Sequence, residues 1–590
     1  MGILEGLGQG FAVALDPTNL LYVFMGVLIG TVIGVLPGLG PTATIALLLP
    51  LTYAIEPATA VILLAGIYYG SMYGGTITSV LLRLPGEAAS VVTTFDGYQM
   101  AKQGRAGPAL GIAAVGSFIG GVLAVVGLVL LAPPLADLAV TFGPPEYVAL
   151  TVLGILMVTY LGSGSPLKSL SMAALGLLLA TVGQDPITGT ARFTFGQVSL
   201  FDGVDFVAVA MGLFGVGEIL HSLERTGKVQ AVTRKITHIW PTRKDFRESA
   251  GAIGRGSVLG FVIGVLPGGG GVISSLASYA LEKRRAKDPS RFGKGAIQGV
   301  AGPETANNAS STSAFIPLLT LGIPANVVLA LIFGALLVQG ITPGPQLISE
   351  EPEVFWGVIA SMLIGNLMLL ALNIPLVGVF VQLLRVRAGI LAAFALVVTM
   401  AGVFSVNNDV FDMWVVLLFG VIGWLMKKTG FEPGPLVLAF VLGSIMERAF
   451  RQSMLLSGGS LDIFVTRPLS GGLLAVMALV ILLSVIAARR RRAVFGHVAP
   501  EDVASEEVAS EEVASEKVAS EEVAPEEVAP EDVAPEDVAP EDVTPQEGAP
   551  RDADLATHIP PPVGGGAGRA SGSTNAGRGG ATPPRNEGER

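Results

Sequence analysis

The chain lacks cysteine altogether and has only four histidines among its 590 residues. The absence of cysteine excludes disulfide bonds, thiol nucleophiles and cysteine metal ligands. His221, His238, His497 and His558 all lie in polar segments, which excludes a histidine site within an apolar segment. No GxxxxGK[ST] loop is present, so the chain does not itself hydrolyse ATP. These absences narrow the possible chemistry, and we predict that the protein is not an enzyme and holds neither a cofactor nor a metal.

Charged side chains are also scarce, and apolar ones dominate. Only 14% of the residues are charged, whereas 51% are hydrophobic, and many apolar runs are long enough to cross a bilayer. The last 90 residues carry 22 acidic and 6 basic side chains, a net charge of −16. Because the whole chain has a net charge of −11, the first 500 residues are net +5. The sequence therefore predicts a mildly basic polytopic membrane protein with an acidic tail.

One apolar stretch with a Pro-Gly interruption occurs twice. Residues 28–40 read LIGTVIGVLPGLG, and residues 259–270 read LGFVIGVLPGGG, an offset of 230 residues. Proline removes a backbone donor and glycine adds conformational freedom, so a helix should break at each copy. A break at membrane depth is tolerated only where it is buried in protein or lines a wet cavity. Two such breaks in corresponding halves of a chain are typical of a secondary transporter's binding site.

The loops between the apolar runs predict how the two halves are inserted. Eight Lys and Arg residues in 221–255 place that loop in the cytoplasm by the positive-inside rule. In the same scheme Arg448 and Arg451 lie outside, against the rule. Five apolar runs separate the two copies, at 58–82, 109–132, 146–161, 167–182 and 204–220. Because five is odd, the two hairpins should enter from opposite faces of the membrane.

We therefore predict an all-α polytopic membrane protein with about 11–12 transmembrane helices and two Pro/Gly-broken re-entrant hairpins in an inverted repeat. The predicted segments are a first membrane repeat at 1–220, the cytoplasmic basic loop 221–255, a second repeat with a final helix at 256–492, and the tail 493–590. Nine acidic pentads fill 501–545, and a five-residue period matches neither a helix face nor a strand. The tail is accordingly predicted to be disordered and cytoplasmic, either a solvated spacer or a docking segment.

A second polar cluster follows each hairpin, at residues 68–87 and 302–326. Aligning Pro85 with Pro324 needs an offset of 239 residues, and therefore a nine-residue insertion. Broken helices direct N-terminal N–H groups at whatever fills the gap, and Ser, Thr and Asn add donors without a fixed charge. This chemistry suits a small anion, and freed carbonyls can hold a cation beside it. The alternative is that the hydroxyls only pack helices or bond to their own turn.

Glu304, Glu87 and Arg83 are the charged candidates near these clusters, although each can also lie at the membrane interface. Arg83 is a candidate partner for a substrate carboxylate, and Glu304 with Asn308 is the candidate site for a coupling ion, Na+ or H+. The predicted substrate-binding residues are Gly38, Gly40, Thr42, Thr44, Ser71, Tyr73, Thr76, Arg83, Gly268, Gly269, Gly270, Ser274, Asn307, Asn308, Ser310, Ser311 and Thr312.

Several motifs in order resemble the TctA family, the large membrane subunit of bacterial tripartite tricarboxylate transporters. They include GVLPGLGPTATIALLLPLTY, GVLPGGGG, PETANNA and GITPGPQL, and the likeness runs from about residue 10 to 490. The resemblance implies uptake of a di- or tricarboxylate such as citrate, driven by a Na+ or H+ gradient. It also implies a small TctB-like membrane subunit, a TctC-like extracytoplasmic solute-binding protein, and a location in the bacterial cell membrane.

Two other functions compete with this interpretation. The same broken helices can build a non-coupled anion channel or pore, which would equilibrate its substrate without accumulating it. An intramembrane hydrolase is a further alternative, but without cysteine or an intramembrane histidine it needs a Ser–Lys or Asp–Asp arrangement. The apolar runs contain no paired Asp.

Overall fold

A computed structural model describes residues 2–36, 40–161, 165–185, 187–224, 239–383 and 388–495. All of them belong to the first of two units into which the chain divides, Met1–His497. The acidic pentads and the Gly/Pro-rich end lie outside the described residues.

Helices make up nearly all of the regular structure. The α-helices are α1 Ile3–Ala14, α2 Pro17–Val35, α3 Gly40–Leu48, α4 Pro57–Leu82, α5 Thr93–Lys102, α6 Ala106–Ala139, α7 Pro144–Leu161, α8 Pro166–Leu179, α9 Phe206–Ala210, α10 Gly217–Glu224, α11 Arg243–Val265, α12 Gly270–Arg285, α13 Gln298–Ser313, α14 Phe315–Leu321, α15 Val327–Val338, α16 Leu347–Glu350, α17 Pro352–Leu383, α18 Ala388–Asn407, α19 Val410–Thr429, α20 Pro433–Leu456, α21 Ile463–Thr466 and α22 Pro468–Phe495. A π-helical turn, Met211–Val216, joins α9 to α10, and 3-10 turns occupy Leu49–Ala54, Ala88–Val91, Val198–Leu200 and Pro289–Arg291. Two short strands, β1 Gly183–Gln184 and β2 Ala191–Arg192, pair antiparallel.

Seven of the described helices are long and apolar enough to cross a membrane, and seven shorter apolar helices accompany them. Many of these helices leave large apolar side chains exposed, as α6 does with Leu123, Val126 and Leu130. Apolar exposure of this kind suits helices whose outer faces contact lipid. The predicted class, an all-α polytopic membrane protein, is confirmed.

The five apolar runs predicted between the two hairpins all coincide with helices. They correspond to α4, α6, α7, α8 and the continuous helix from α9 to α10. The elements that were not predicted include the N-terminal helix α1, helix α5 and the β1–β2 hairpin. Helix α11 already begins at Arg243, inside the segment 221–255, because Thr242 and Asp245 form a capping box there.

Two helices form the centre of the molecule. Every residue of α4 from Thr59 to Leu82 is buried, and so is every residue of α13 from Gly299 to Ser313. Helix α13 is nevertheless polar, since its residues 304–313 read ETANNASSTS. A buried polar helix is stable only if its side chains find hydrogen-bond partners. The partners of α13 therefore indicate which residues belong to the functional centre.

An ion-pair cluster joins the β1–β2 hairpin to α20. Arg451 contacts Asp185 and Glu447, each at 2.8 Å, and Arg192 contacts Glu447 at 2.6 Å. The backbone N–H groups of Thr188 and Ile187 donate to Asp185, and together with Arg451 they hold the pKa of that carboxyl well below its usual range. The cluster gives Arg451 two acidic partners, so its charge is balanced locally.

A second carboxylate, Asp96 on α5, fastens the loop that precedes α13. Its Oδ1 accepts hydrogen bonds from the N–H groups of Gly293, Gly295 and Ala296 at 2.9, 2.8 and 2.7 Å. The hydroxyl of Tyr279 on α12 donates to its Oδ2 at 3.0 Å. This buried carboxylate therefore ties the first half of the chain to the start of α13.

Candidate functional site

Both copies of the Pro-Gly stretch interrupt a helix, as predicted. Helix α2 ends at Val35 and α11 ends at Val265, and the next residue in each, Leu36 and Leu266, has an extended backbone. The following helices α3 and α12 begin at Gly40 and Gly270, and these two glycines as well as Gly268 have a left-handed backbone. Glycine is the residue that adopts such a conformation without strain. Gly38 lies outside the described residues, and Gly269 lies within the second break.

Each broken helix packs closely on one central helix. A Cβ atom added to Gly34 would lie 2.3 Å from the carbonyl oxygen of Ser71, and one added to Gly264 would lie 2.4 Å from that of Ser310. One turn earlier, Gly30 approaches Ile67 O and Gly260 approaches Ala306 O in the same way, at 2.4 and 2.3 Å. The hairpin residues differ by 230 and their partners by 239. The contacts therefore agree with both sequence offsets, and α13 is the counterpart of α4.

Two hydrogen bonds then link the halves reciprocally. Asn326 Nδ2 donates to the hydroxyl of Tyr68 at 2.9 Å, and Asn307 Nδ2 donates to Glu87 Oε1 at 3.3 Å. Tyr68 corresponds to Asn307 and Glu87 to Asn326 at the offset of 239, so the two bonds are counterparts. The N–H of Gly268 at the second break also donates to Ala325 O at 2.7 Å. The tip of the second hairpin and both reciprocal pairs therefore form one buried polar centre, which we call the reciprocal centre.

Glu304 and Asn308 connect α13 to its neighbours. Glu304 is 1% exposed, and its carboxylate accepts hydrogen bonds from Thr76 on α4 at 2.7 Å and from Thr93 on α5. Asn308 Nδ2 donates to Ser117 Oγ on α6 at 2.7 Å and to the carbonyl oxygen of Glu304 at 3.1 Å. Both oxygens of the carboxylate therefore have a donor, and none of the ion pairs found among the described residues includes Glu304.

Several predicted hydroxyl groups bond to their own helix. Thr44 donates to Gly40 O and Ser274 donates to Gly270 O, both at 2.9 Å, which repeats the 230-residue offset. Ser71 donates to Tyr68 O at 2.7 Å. Likewise Ser311 donates to Asn308 O at 3.1 Å, whereas Tyr73 donates across to Asn366 Oδ1 at 2.9 Å. In this conformation Tyr73 therefore links α4 to α17, and the other four hydroxyls bond within their own helices.

Two buried polar atoms at the hairpin tip have no hydrogen-bond partner among the described residues. They are Asn307 Oδ1 and Ser310 Oγ, on successive turns of α13, and both residues are 0% exposed. A Cβ atom added to Gly271 would lie 2.3 Å from Asn307 Oδ1, so only glycine leaves this oxygen accessible from α12. A buried acceptor without a donor is costly, and such atoms mark places where a ligand or water completes the bonding.

Arg83 lies apart from the reciprocal centre. It is exposed at the end of α4 with a left-handed backbone, and its guanidinium lies 6.0 Å from the ring of Tyr98. Its counterpart at the 239-residue offset is Gly322, which ends α14 with the same left-handed backbone. Of the remaining predicted residues, Thr312 is buried on α13 and Thr42 is half-buried on α3.

A cavity of about 20 Å³ lies between α4, α6 and α17. Its polar lining includes Tyr73, Thr76, Ser117 and Asn373. A volume of this size holds about one water molecule, much less than a tricarboxylate requires. In the described conformation this cavity therefore has no room for a tricarboxylate.

Sequence reasoning named Glu87 as a charged candidate but did not pair it with Asn307. It also missed Tyr68, Asn326 and Ser117 as hydrogen-bond partners. The 239-residue offset contained the necessary information, because it aligns Tyr68 with Asn307 and Glu87 with Asn326. What it did not contain is that Tyr68 pairs with Asn326 and Glu87 pairs with Asn307, so that the two bonds cross between the halves.

The helices, the two matched breaks and the buried polar helix between them define an all-α polytopic membrane protein built from two related halves. The chain belongs to the tripartite tricarboxylate transporter TctA family, whose model matches residues 20–438. A member of this family is a component of a tripartite tricarboxylate transporter, and thus a transport protein and not an enzyme.

Two relatives come from Agrobacterium vitis. The "uncharacterized 52.8 kDa protein in TAR-I ttuC' 3'region" is 50% identical over 493 residues, which is 83% of this chain and 98% of the relative. The "uncharacterized protein in TAR-II ttuC' 3'region" is 47% identical over 233 residues, 40% of this chain and 96% of the relative. No solved structure matches the chain.

Proposed function

We propose that this chain is the permease subunit of a tripartite secondary transporter, which imports a citrate-like di- or tricarboxylate by using a Na+ or H+ gradient. The observation that carries the proposal is the reciprocal centre, where two broken helices and a buried polar helix meet. Discontinuous helices in both halves of a transporter supply N–H groups to an anionic substrate and oxygens to a coupling cation.

The substrate in this proposal binds between the two breaks and the polar face of α13. Asn307 and Ser310 present unpartnered atoms there, and the tip glycines allow the backbone to approach. The hydroxyls of Thr44 and Ser274 need only rotate away from their own helix to serve as donors. The coupling cation acts through the buried carboxylates, for which Glu304 with Asn308 and also Glu87 are the candidates. Transport additionally requires a small membrane subunit and an extracytoplasmic solute-binding protein.

Reconstitution tests this function directly. The full chain is placed in proteoliposomes with its small membrane subunit, and the solute-binding protein is supplied with labelled citrate. We expect accumulation above the external concentration when an inward Na+ or H+ gradient is imposed, and loss of accumulation when an ionophore dissipates that gradient. A substrate that only equilibrates, with no response to either gradient, would identify a pore instead.

The inverted arrangement is part of the same proposal, and the cysteine-free chain makes it easy to test. Thr42 on α3 and Val272 on α12 are counterparts, and both are half-buried just after a break. Single substitutions Thr42→Cys and Val272→Cys should react with a membrane-impermeant thiol reagent from opposite faces of the membrane. If both cysteines were labelled only in right-side-out vesicles, or both only in inside-out vesicles, the inverted repeat would be contradicted.

A further inference from the structure

The two reciprocal pairs differ in charge, although their positions match. In the Tyr68–Asn326 pair every partner is neutral, and Asn326 is fully engaged, since its Oδ1 also accepts from the N–H of Leu329 at 3.0 Å. In the Asn307–Glu87 pair one member is an acid and the amide oxygen is unpartnered. The first pair is therefore complete without a ligand, whereas the second contains an acid without a basic partner and an amide oxygen without a donor among the described residues.

Among the described residues Glu87 has no basic partner. Its side chain accepts from the N–H groups of Ala89, at 2.6 Å, and Ser90, and from Asn307 at 3.3 Å, and the residue is 9% exposed. None of the ion pairs present among the described residues includes it. Burying an ionised carboxylate is expensive unless a cation or several donors compensate it. The three donors of Glu87 are all neutral, and one of them lies at a long distance, so no positive charge among the described residues balances the carboxylate.

We infer that Glu87 and Asn307 form a binding site for a monovalent cation of the size of Na+, present only in this one of the two pairs. The inference rests on the proposed function, because it locates the coupling ion of that transport cycle. Rotation of the Asn307 amide by 180° exchanges its oxygen and nitrogen, which places Oδ1 where Nδ2 now lies, 3.3 Å from Glu87 Oε1. Two oxygens at about 2.4 Å from one cation and at right angles are separated by about 3.4 Å, so the existing geometry fits two adjacent ligands.

The backbone of the second hairpin packs directly against the site. Gly271 has no side chain to cover the Asn307 amide, and the methyl group of Ala89 lies 3.0 Å from the position that a Cβ of Gly271 would occupy. Two protein oxygens do not complete a cation's coordination shell, so further ligands must come from water or from the transported carboxylate. A cation bound between Glu87 and the substrate removes the repulsion between two anions. Cation and carboxylate should therefore each raise the affinity for the other by the same factor.

The test uses the purified full chain and measures its thermal unfolding midpoint while Na+ replaces K+ at constant ionic strength. Na+ that binds only the folded protein should raise the midpoint in the wild type, and citrate should increase the effect. Glu87→Gln should abolish the Na+ response, and Asn307→Ala should weaken the Na+ affinity by about five- to a hundredfold. Glu353→Gln at an exposed carboxylate on α17 should keep the wild-type Na+ affinity.

Three results would overturn the inference. One is an unchanged Na+ response in Glu87→Gln or, if that variant does not fold, in Asn307→Ala. Another is an equal loss in Glu353→Gln, and the third is stabilisation by acid in K+ with no effect of Na+, which would assign a proton instead. Citrate accumulation in proteoliposomes together with any of these would refute the cation site and keep the proposed function. A Glu87-dependent Na+ response without citrate uptake would keep the cation site and refute the proposed function.

Discussion

Helix α11 offers a prediction with an internal control, because two of its glycines have opposite surroundings. A Cβ atom on Gly260 would lie 2.3 Å from the carbonyl oxygen of Ala306 and 2.7 Å from its Cα atom. A Cβ atom on Gly254, on the same helix, would have no atom within 4 Å. Gly260→Ala must therefore push α11 away from α13, whereas Gly254→Ala fills open space.

The expected magnitude follows from these distances. Ordinary carbon–oxygen contact begins at about 3.4 Å, so Gly260→Ala must move backbone by about 1 Å, and overpacking of this kind costs roughly 1–3 kcal/mol. Both variants gain the same helix propensity, about 1 kcal/mol, when alanine replaces glycine. That gain cancels in the comparison, so Gly260→Ala should be less stable than Gly254→Ala by about 1–3 kcal/mol.

The measurement is the free energy of unfolding of the two purified variants in detergent micelles, with citrate uptake as a second readout. Uptake should fall only in Gly260→Ala, because the displaced hairpin also carries Gly268 and Gly271 away from the reciprocal centre. Gly30→Ala should behave like Gly260→Ala, since its Cβ would meet Ile67 O at 2.4 Å. Equal stability and uptake in Gly260→Ala and Gly254→Ala would refute the close packing of α11 on α13.

Three side chains and the tail carry further predictions. Glu304→Gln should lower uptake at least about tenfold at unchanged membrane abundance, because one of two hydroxyl-to-carboxylate hydrogen bonds is lost; normal uptake would remove Glu304 from the mechanism. Asp96→Ala should reduce the free energy of unfolding by roughly 1–3 kcal/mol by leaving three N–H groups unpaired, whereas exposed Asp137→Ala should have no effect. Because the pKa of Asp185 is lowered in the folded protein, the stability from its ion pairs is present above its unfolded pKa of about 4 and is lost as the pH falls through the lower folded value. Protease resistance of the β1–β2 hairpin should therefore be constant from pH 8 to about 5, and loss of resistance between these values would contradict the assignment. Truncation after Gly496 should leave uptake intact, because the pentads cannot bury enough apolar surface to fold; a loss greater than about tenfold would make the tail functional.

The ion-pair cluster shows how tertiary contacts can account for a residue that the charge rule places on the wrong side. Arg451 counts as an excess positive charge in an external loop when the sequence is read alone. In the folded chain it contacts Asp185 and Glu447, and its charge is balanced. The sequence separations are 266 and 4 residues, so only the second partner was within reach of local reasoning.

The sequence by itself determined the class, the helices and the two breaks. Apolar run length, Pro-Gly interruptions and the 230-residue repeat depend on local chemistry, because bilayer thickness and backbone hydrogen bonding act on each segment separately. Thr44, Ser71 and Ser274 were predicted to bind substrate, and in this conformation each hydroxyl bonds to its own helix. Local chemistry did not predict α1, α5 or the short β1–β2 hairpin.

Only the tertiary structure decided which polar residues share a site. Arg83, a candidate carboxylate partner, ends its helix as an exposed counterpart of Gly322, while Glu87, four residues later, turns inward to Asn307. The two side chains point in different directions because the backbone is left-handed at Arg83 and because the following loop packs against α12. Neither feature leaves a periodic pattern in the sequence. Reciprocal pairing also joins residues more than 200 positions apart, and it arises because two related halves fold against each other.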